Sequence, residues 1–254
     1  MKDLIHKHNF IILSILLECL IILFVSLANL FDGILYALFY NLIYGLIISV
    51  IFPLYYVYHL ENKSRGINKN NIFLGSLGLK KLHFRQYCVI LFFVVFSIGG
   101  QLIPLLLAGE QIEFHLLKIC IVPLIMTTFF EEFMFRGFLQ TRLEKQYGKA
   151  AAILLSGLLF SLYHIGYQGF RSLPDLLLLF AVGIGFALAY KLSDNNLIAV
   201  YFVNLPNAFL TYILKSEQFP VFTETTPLFA LITIVLIEII IYRFFLFGKR
   251  PEHN

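Results

Sequence analysis

Long apolar segments recur along the whole chain and constrain its fold more than any other feature of the sequence. Of its 254 residues, 59% are hydrophobic and 13% are charged, and the mean hydropathy is +0.84, well outside the composition of soluble domains. A membrane-spanning helix needs about 20 consecutive, mostly apolar residues. Segments of about this length lie at residues 10–30, 34–58, 86–108, 114–145, 150–166, 174–191, 197–214 and 226–247. We therefore predict an all-α polytopic membrane protein with about eight transmembrane helices, folded as one integral membrane domain over residues 1–254.

The distribution of basic residues predicts the orientation of these helices. When the amino terminus is placed in the cytoplasm, the basic connections at 61–87 and 142–149 fall on the cytoplasmic side, and acidic residues such as Asp32 fall mainly on the other. This positive-inside pattern predicts that both termini lie in the cytoplasm. The predicted location is the cell membrane. The formal net charge of +4 then indicates contact with anionic lipids at the cytoplasmic face, and no nucleic-acid partner is expected.

Two adjacent carboxylates, Glu131 and Glu132, lie inside the fourth apolar segment. A charged side chain near the centre of a spanning helix costs roughly 3 kcal/mol on insertion scales, so an intramembrane Glu–Glu pair indicates a functional site. Glu132 and Arg136 are four residues apart, on one face of a helix, and can form an ion pair. Glu131 points about 100° away and needs a partner on another helix. We therefore interpret Glu131 as a general base and Glu132 with Arg136 as a structural pair.

His164 lies within the next apolar segment, at the depth predicted for Glu131. Gly148 is expected to end the fourth helix, and each of these two residues is about 16 residues from that turn, so antiparallel helices bring them together. Asn204 and Asn207 reach a comparable depth in segment 197–214. A carboxylate beside an imidazole can activate water, and amide donors can hold the oxyanion of a tetrahedral intermediate. These residue types favour hydrolysis of a peptide bond.

The same motifs resemble those of the type II CAAX prenyl endopeptidase and bacteriocin-processing family of intramembrane proteases, also called Abi or CPBP. The resemblance rests on Glu131-Glu132-x-x-x-Arg136 and Phe160-x-x-x-His164, and it covers roughly residues 115–210, which would carry the catalytic core. It implies that Glu131 and His164 activate the hydrolytic water, with the other residues of the two motifs as structural support.

The sequence departs from this family at the third motif, a His followed four residues later by Asn or Asp. Asn204 aligns with that His, and Ala208 stands four residues on, with Asn207 one place early. An Asn amide can still donate to an oxyanion, so Asn204 and Asn207 complete the predicted catalytic set. A catalytic zinc usually takes three protein ligands, commonly including two His. A divalent metal such as zinc is therefore not favoured, and no cofactor is expected.

Three functions remain open at this point. The first is an intramembrane endopeptidase that cleaves a peptide or a membrane-associated protein. The departure at Asn204 favours the second, a catalytically inactive family member that acts as a membrane scaffold, a regulator or a bacteriocin immunity factor. The third is a transporter or ion pathway lined by Glu18, Glu131, Glu132 and Glu238, but the chain lacks paired broken helices in corresponding halves.

Small and polar residues elsewhere in the apolar segments are interpreted as packing groups. Glu18 and Glu238 are expected to orient or pack their helices, and Glu238 can reach Tyr242 four residues on. Gly183 and Gly185 are expected to let the sixth helix approach a neighbour closely.

Overall fold

The computed structural model describes residues 2–62, 70–107, 117–167, 172–214 and 226–243, and no strand occurs in these ranges. The all-α class is therefore confirmed. We number the helices α1 to α9. Their bounds are α1 Lys2–Ala28; α2 33–62, built from Gly33–Ala37, Leu38–Ile51, Phe52–Tyr55 and Tyr56–Asn62; a short α3 Asn70–Ser76; α4 Phe84–Leu107; α5 117–147; α6 149–166; α7 Leu173–Leu192; α8 Leu197–Leu214; and α9 Thr226–Ile241.

Gly148 separates α5 from α6. The hydrogen-bonded stretches Leu117–Glu131, Glu132–Gln140 and Thr141–Leu162 follow one another, but Gly148 has φ 82° and ψ 173° inside the last of them. Glycine adopts this conformation without the steric cost that a side chain would bring. The chain turns back at Gly148 as the sequence predicted, and α6 then ends in the tighter turn Tyr163–Gly166.

Five stretches of the described residues are long and apolar enough to cross a membrane: Phe10–Ala28, Gly33–His59, Phe84–Ile103, Ile121–Gly166 and Leu173–Leu192. The sequence predicted about eight. The stretch Ile121–Gly166 accounts for two of those, because α5 and α6 are apolar on both sides of their turn. The apolar part of α8, Leu197–Leu210, is shorter. Helix α9 has 16 residues, about 24 Å at 1.5 Å per residue against a hydrocarbon core of about 30 Å. The protein is an integral membrane protein.

The second half of α5 forms the centre of the helix bundle. Every residue from 131 to 140 is buried, although the run contains Glu131, Glu132, Arg136 and Gln140. Over Glu132–Gln140 the helix widens to the π form, a local change that is frequent at functional sites. Polar groups at this depth must find partners within the protein because lipid offers none. The helices around α5 must therefore supply the hydrogen-bond and ion-pair partners of its polar side chains.

Ion pairs and hydrogen bonds join the helix connections at each end of the bundle. Arg85 at the start of α4 pairs with Asp194 in the α7–α8 turn at 3.1 Å. The α5–α6 turn lies at the same end, because Lys191 at the end of α7 pairs with Glu144. At the other end, the amide of Asn29 after α1 donates to the last carbonyl of α6 at 3.0 Å. Helices α5 and α6 therefore run antiparallel between the two ends of the bundle, where these polar contacts lie.

Helices α6 and α7 approach closely at Gly157 and Gly183. A Cβ on Gly183 would lie 2.9 Å from the carbonyl oxygen of Gly157 and 3.0 Å from its Cα. These are backbone atoms, which cannot move away without shifting a helix. Gly185 similarly faces α9, where a Cβ would lie 3.1 Å from Oε1 of Glu238. The packing role predicted for Gly183 and Gly185 is confirmed.

We expect Gly183→Ala to lower the free energy of unfolding by about 1–3 kcal/mol, the range typical of overpacking. Gly100→Ala in α4 is the matched control, because no atom lies within 4 Å of where its Cβ would stand. Alanine is also the better helix former by about 1 kcal/mol, so the control should be neutral or stabilising. Reversible unfolding in mixed detergent micelles, followed by circular dichroism, measures both variants. Equal stability of the two would contradict a close α6–α7 contact.

Candidate active site

Glu132 and Arg136 form a buried ion pair on α5. Nη1 of Arg136 lies 3.2 Å from Oε1 of Glu132, and the two side chains have almost no exposed surface. Nη2 of Arg136 donates to the carbonyl oxygen of Gly183 on α7 at 2.9 Å. The guanidinium carbon also lies 4.4 Å from the centre of the Phe160 ring on α6. The ion pair that the spacing of four residues predicts is present, and it joins α5 to both neighbouring helices.

Glu131 finds its partners on two other helices. The Tyr163 hydroxyl of α6 donates to its Oε1, and the Asn204 amide of α8 donates to its Oε2 at 3.3 Å. The same amide nitrogen donates to Oε1 of Glu132 at 2.7 Å. An amide nitrogen carries two hydrogens, so Asn204 commits both to carboxylates. Asn204 thereby holds the two adjacent glutamates in fixed positions.

His164 lies beside this group, in the turn that ends α6. Its ring centroid is 4.1 Å from that of Tyr163. Its Nδ1 lies 2.7 Å from the carbonyl oxygen of Phe160. Because a carbonyl group accepts hydrogen bonds and does not donate them, we assign the hydrogen to Nδ1, which leaves the lone pair of a neutral ring on Nε2. The described contacts connect His164 to Glu131 through Tyr163.

Exposure distinguishes the two carboxylates. Glu131 and His164 each keep 8% of their surface exposed, whereas Glu132 and Arg136 keep none. A carboxylate has about four lone-pair sites, and the hydrogen bonds to Glu131 leave some of them open. Glu131 and His164 are therefore the groups of this cluster that keep some exposed surface. Glu132 is fully buried; its Oε1 is bonded to Arg136 and Asn204, and its Oε2 has no hydrogen-bond partner.

Asn207 lies apart from this group. Its Oδ1 accepts hydrogen bonds from Oγ of Ser97 at 2.7 Å and from Nε2 of Gln101 at 2.9 Å, both on α4. The structure therefore places Asn207 at the contact between α8 and α4. Of the two amides that the sequence predicted at the site, it is Asn204 that contacts Glu131.

The donor set does not fit a catalytic metal. Among the described residues, no group of three or more His, Cys, Asp and Glu side chains lies together as metal ligands would. Both oxygens of Glu131 accept hydrogen bonds, and Oε1 of Glu132 accepts from Arg136 and Asn204. A catalytic zinc needs three protein ligands. The described residues of the site do not supply such a set.

Several tyrosines that were not predicted as site residues lie around the site. One is Tyr163 itself, and the ring of Tyr44 on α2 stacks on it with 6.2 Å between the ring centroids. The hydroxyls of Tyr40 and Tyr167 lie 2.5 Å apart. The spacing of four between Tyr40 and Tyr44 in an apolar helix is a signal that places them on one face. Their partners belong to distant segments, so the sequence did not reveal the cluster.

Comparison with known proteins bears on the part of the chain that carries Glu131, Glu132, Arg136, His164 and Asn204. A search of curated proteins finds no match. The family model described as "Type II CAAX prenyl endopeptidase Rce1-like" matches residues 113–209. The resemblance predicted from the two motifs is therefore confirmed, and residues 113–209 carry a domain similar to the Rce1-like type II CAAX prenyl endopeptidases, which are proteases.

Proposed function

We propose that this protein is an intramembrane endopeptidase that hydrolyses a peptide bond in a peptide or a membrane-associated protein. One observation carries the proposal: the Glu131 carboxylate is held by Tyr163 and Asn204, beside His164, and keeps a small exposed surface deep in the bundle. The similarity of residues 113–209 to a protease family supports the same reaction class.

In the proposed mechanism Glu131 takes a proton from a water molecule as the water oxygen attacks the carbonyl carbon of the substrate. The proton then passes from Glu131 to the amine nitrogen as the C–N bond breaks. Nε2 of His164 accepts a hydrogen bond from the second O–H of the water and so fixes the orientation of the water molecule. General acid–base catalysis of this kind contributes typically 10²- to 10⁴-fold in rate.

The remaining groups orient the reacting ones. Glu132 neutralises Arg136, and Arg136 fixes α5 against Phe160. Asn204 holds both carboxylates, and it can donate to the oxyanion of the substrate when one of those hydrogen bonds gives way. Asn207 is a second candidate for that donor if α8 moves relative to α4. The mechanism uses no metal and no cofactor.

A second candidate function is a catalytically inactive relative that binds a partner as a scaffold, regulator or bacteriocin immunity factor. The observation that favours it is Asn204, which stands where the family's third motif has a His and whose amide hydrogens are both committed to carboxylates. In that case the buried polar group would serve to hold α5, α6, α7 and α8 together.

We further propose a topology of eight crossings in one membrane domain over residues 1–254, with both termini in the cytoplasm of a cell whose cell membrane contains the protein. Two ion pairs support this topology, Arg85 with Asp194 and Lys191 with Glu144. They place the connections that carry these basic residues at one end of the bundle. Anionic lipids would contact that end. No nucleic-acid partner is proposed.

Glu131→Gln should abolish most of the cleavage, by about 10²- to 10⁴-fold, because glutamine has almost the same shape but cannot take the proton. His164→Ala should remove the same cleavage products. Quantitative mass spectrometry of new peptide termini in cells, compared with wild type, measures both effects and identifies the substrate.

Glu238→Gln is the matched control for this experiment, since Glu238 is also a buried glutamate but lies on α9 against Gly185. Its cleavage products should equal those of wild type. Normal processing by Glu131→Gln would overturn the mechanism. If no termini depend on the protein while its deletion still has a phenotype, the inactive-relative function replaces the protease.

Arg136→Met should lower the free energy of unfolding by about 3–5 kcal/mol, because it leaves Glu132 buried without its opposite charge. The double variant Arg136→Met with Glu132→Leu should regain part of that loss, because it removes both charges together. Unfolding titrations in detergent micelles compare the two. A double variant no more stable than the single one would contradict a structural role for the pair.

Cysteine labelling tests the orientation. In a background without Cys19, Cys88 and Cys120, we expect Asp32→Cys to react with a membrane-impermeant maleimide in intact cells. Lys145→Cys should react after permeabilisation and not before. The two positions are exposed in the structure and belong to connections at opposite ends. The reverse pattern, or labelling of both in intact cells, would overturn the topology.

A further inference from the structure

Three hydroxyl groups meet on the side of the candidate site that lies away from the α5–α6 turn. The Tyr40 hydroxyl on α2 lies 2.5 Å from that of Tyr167, just after α6, and 3.2 Å from Oγ1 of Thr127 on α5. We call Tyr40, Thr127 and Tyr167 the hydroxyl cluster. The proposed mechanism uses none of its members.

The hydroxyl cluster borders the two groups to which the mechanism assigns the water molecule. Thr127 precedes Glu131 by four residues in regular α-helix, which places both on one face of α5. Tyr167 follows His164 by three residues, and their ring centroids are 5.6 Å apart. The segments that carry the base and the imidazole therefore also carry two of the three hydroxyls.

Two members of the hydroxyl cluster are partly exposed. Tyr40 keeps only 4% of its surface, whereas Thr127 and Tyr167 are half-buried. A threonine inside a helix commonly bonds back to a carbonyl of its own helix, as Thr141 does to Arg136. The Thr127 hydroxyl instead contacts Tyr40 on another helix. The cluster thus presents hydroxyl groups at the border of the site.

Uncharged hydroxyl groups suit the backbone of a peptide. Each has one hydrogen and two lone pairs, so the cluster can both donate and accept beyond the two contacts that join it. A peptide segment at membrane depth must pair its N–H and C=O groups with protein groups, because lipid offers none. The cluster carries no charge with which to select an ionic side chain. Its chemistry therefore matches a neutral peptide group.

The spacing on α5 determines which peptide group the hydroxyl cluster can reach. Four residues of α-helix cover about 6 Å, at 1.5 Å per residue. An extended peptide advances about 3.3 Å per residue. A substrate held at Glu131 and extended along α5 therefore brings to Thr127 a peptide group about two residues from the bond that is cleaved.

We propose that the hydroxyl cluster is a binding subsite for the backbone of the substrate, at a peptide group about two residues from the scissile bond. Thr127 and Tyr167 contact that peptide group, and Tyr40 positions their two hydroxyls. The proposal rests on the proposed function, because it takes Glu131 as the place of cleavage.

The hydroxyl cluster acts on binding and not on the chemical step. The peptide group that it holds does not react, so the same hydrogen bonds exist before and during cleavage. Loss of binding that is equal in the ground state and the transition state raises KM and leaves kcat unchanged. This division between the two constants distinguishes the cluster from Glu131 and His164.

Turnover by the purified protein in detergent micelles tests the subsite, with a library of short fluorogenic peptides as the probe. Tyr40→Phe and Thr127→Val should each raise KM about two- to tenfold, the effect of one hydrogen bond, at unchanged kcat. Tyr190→Phe and Thr141→Val are the matched controls, because they remove a Tyr–Thr hydroxyl contact of 2.9 Å elsewhere on α5. Both controls should keep the KM of wild type.

Ester substitution in the peptide locates the contact. An ester in place of one peptide group removes the N–H donor and weakens the carbonyl acceptor. In the library member with the lowest KM, an ester about two residues from the scissile bond should raise KM for wild type. The same ester should cost nothing further in Tyr40→Phe or Thr127→Val, because the two changes remove one interaction.

Two results would overturn the subsite. One is a wild-type KM in both Tyr40→Phe and Thr127→Val, even if their stability is lower, because the cluster would then serve only to join helices. The other is an ester effect that is the same in these variants as in wild type. If Tyr40→Phe does not fold, Thr127→Val decides alone.

Binding measurements separate the subsite from the function on which it rests. In the Glu131→Gln background, Tyr40→Phe and Thr127→Val should weaken binding of the library by the factor seen in KM. If wild type cleaves no peptide and this loss of binding is present, the protease function falls and the subsite stands. Cleavage with wild-type KM in both hydroxyl variants leaves the protease function standing and overturns the subsite. A library that binds neither wild type nor Glu131→Gln also overturns the subsite.

Discussion

The buried guanidinium of Arg136 sets the arrangement of the helices that surround it. A positive charge at this depth needs a carboxylate and further acceptors, and it finds Glu132, the carbonyl of Gly183 and the faces of Phe160 and Phe186. These partners belong to α5, α6 and α7. The absence of a Cβ on Gly183 lets α7 come close to α6 here. One side chain thereby sets the spacing of three helices.

The buried ion pair also gives the two adjacent glutamates different roles. Glu132 is paired with Arg136 and is fully buried, so Glu131 is the carboxylate that keeps some exposed surface. Asn204 bridges the two, because its one amide nitrogen donates to a carboxylate oxygen of each. A structural pair and a candidate base can therefore stand next to each other in the chain, because a helix turns consecutive residues toward different neighbours.

The amino-terminal half of the chain takes part in building the site. The similarity to the protease family covers residues 113–209, yet Tyr40 and Tyr44 on α2 pack against Tyr167, just after α6, and Tyr163, in its last turn. Tyrosine hydroxyls suit this position because each can accept one hydrogen bond and donate another inside an otherwise apolar wall. The first two helices thus supply surroundings that the matched domain lacks by itself.

Hydropathy, glycine conformation and a spacing of four residues are local properties. They were therefore sufficient to predict the helical class, the turn at Gly148, the ion pair of Glu132 with Arg136 and the resemblance to a protease family. Contacts between helices that are distant in the chain turn Asn207 toward α4 and place Tyr163 and Asn204 against Glu131. About eight predicted segments give five long apolar stretches among the described residues. In a membrane, both the lipid-facing and the inward side of a helix are apolar, so hydrophobic periodicity does not reveal which side faces the protein. The rotation of each helix about its own axis is set by polar and close-packed contacts between helices that are distant in the chain.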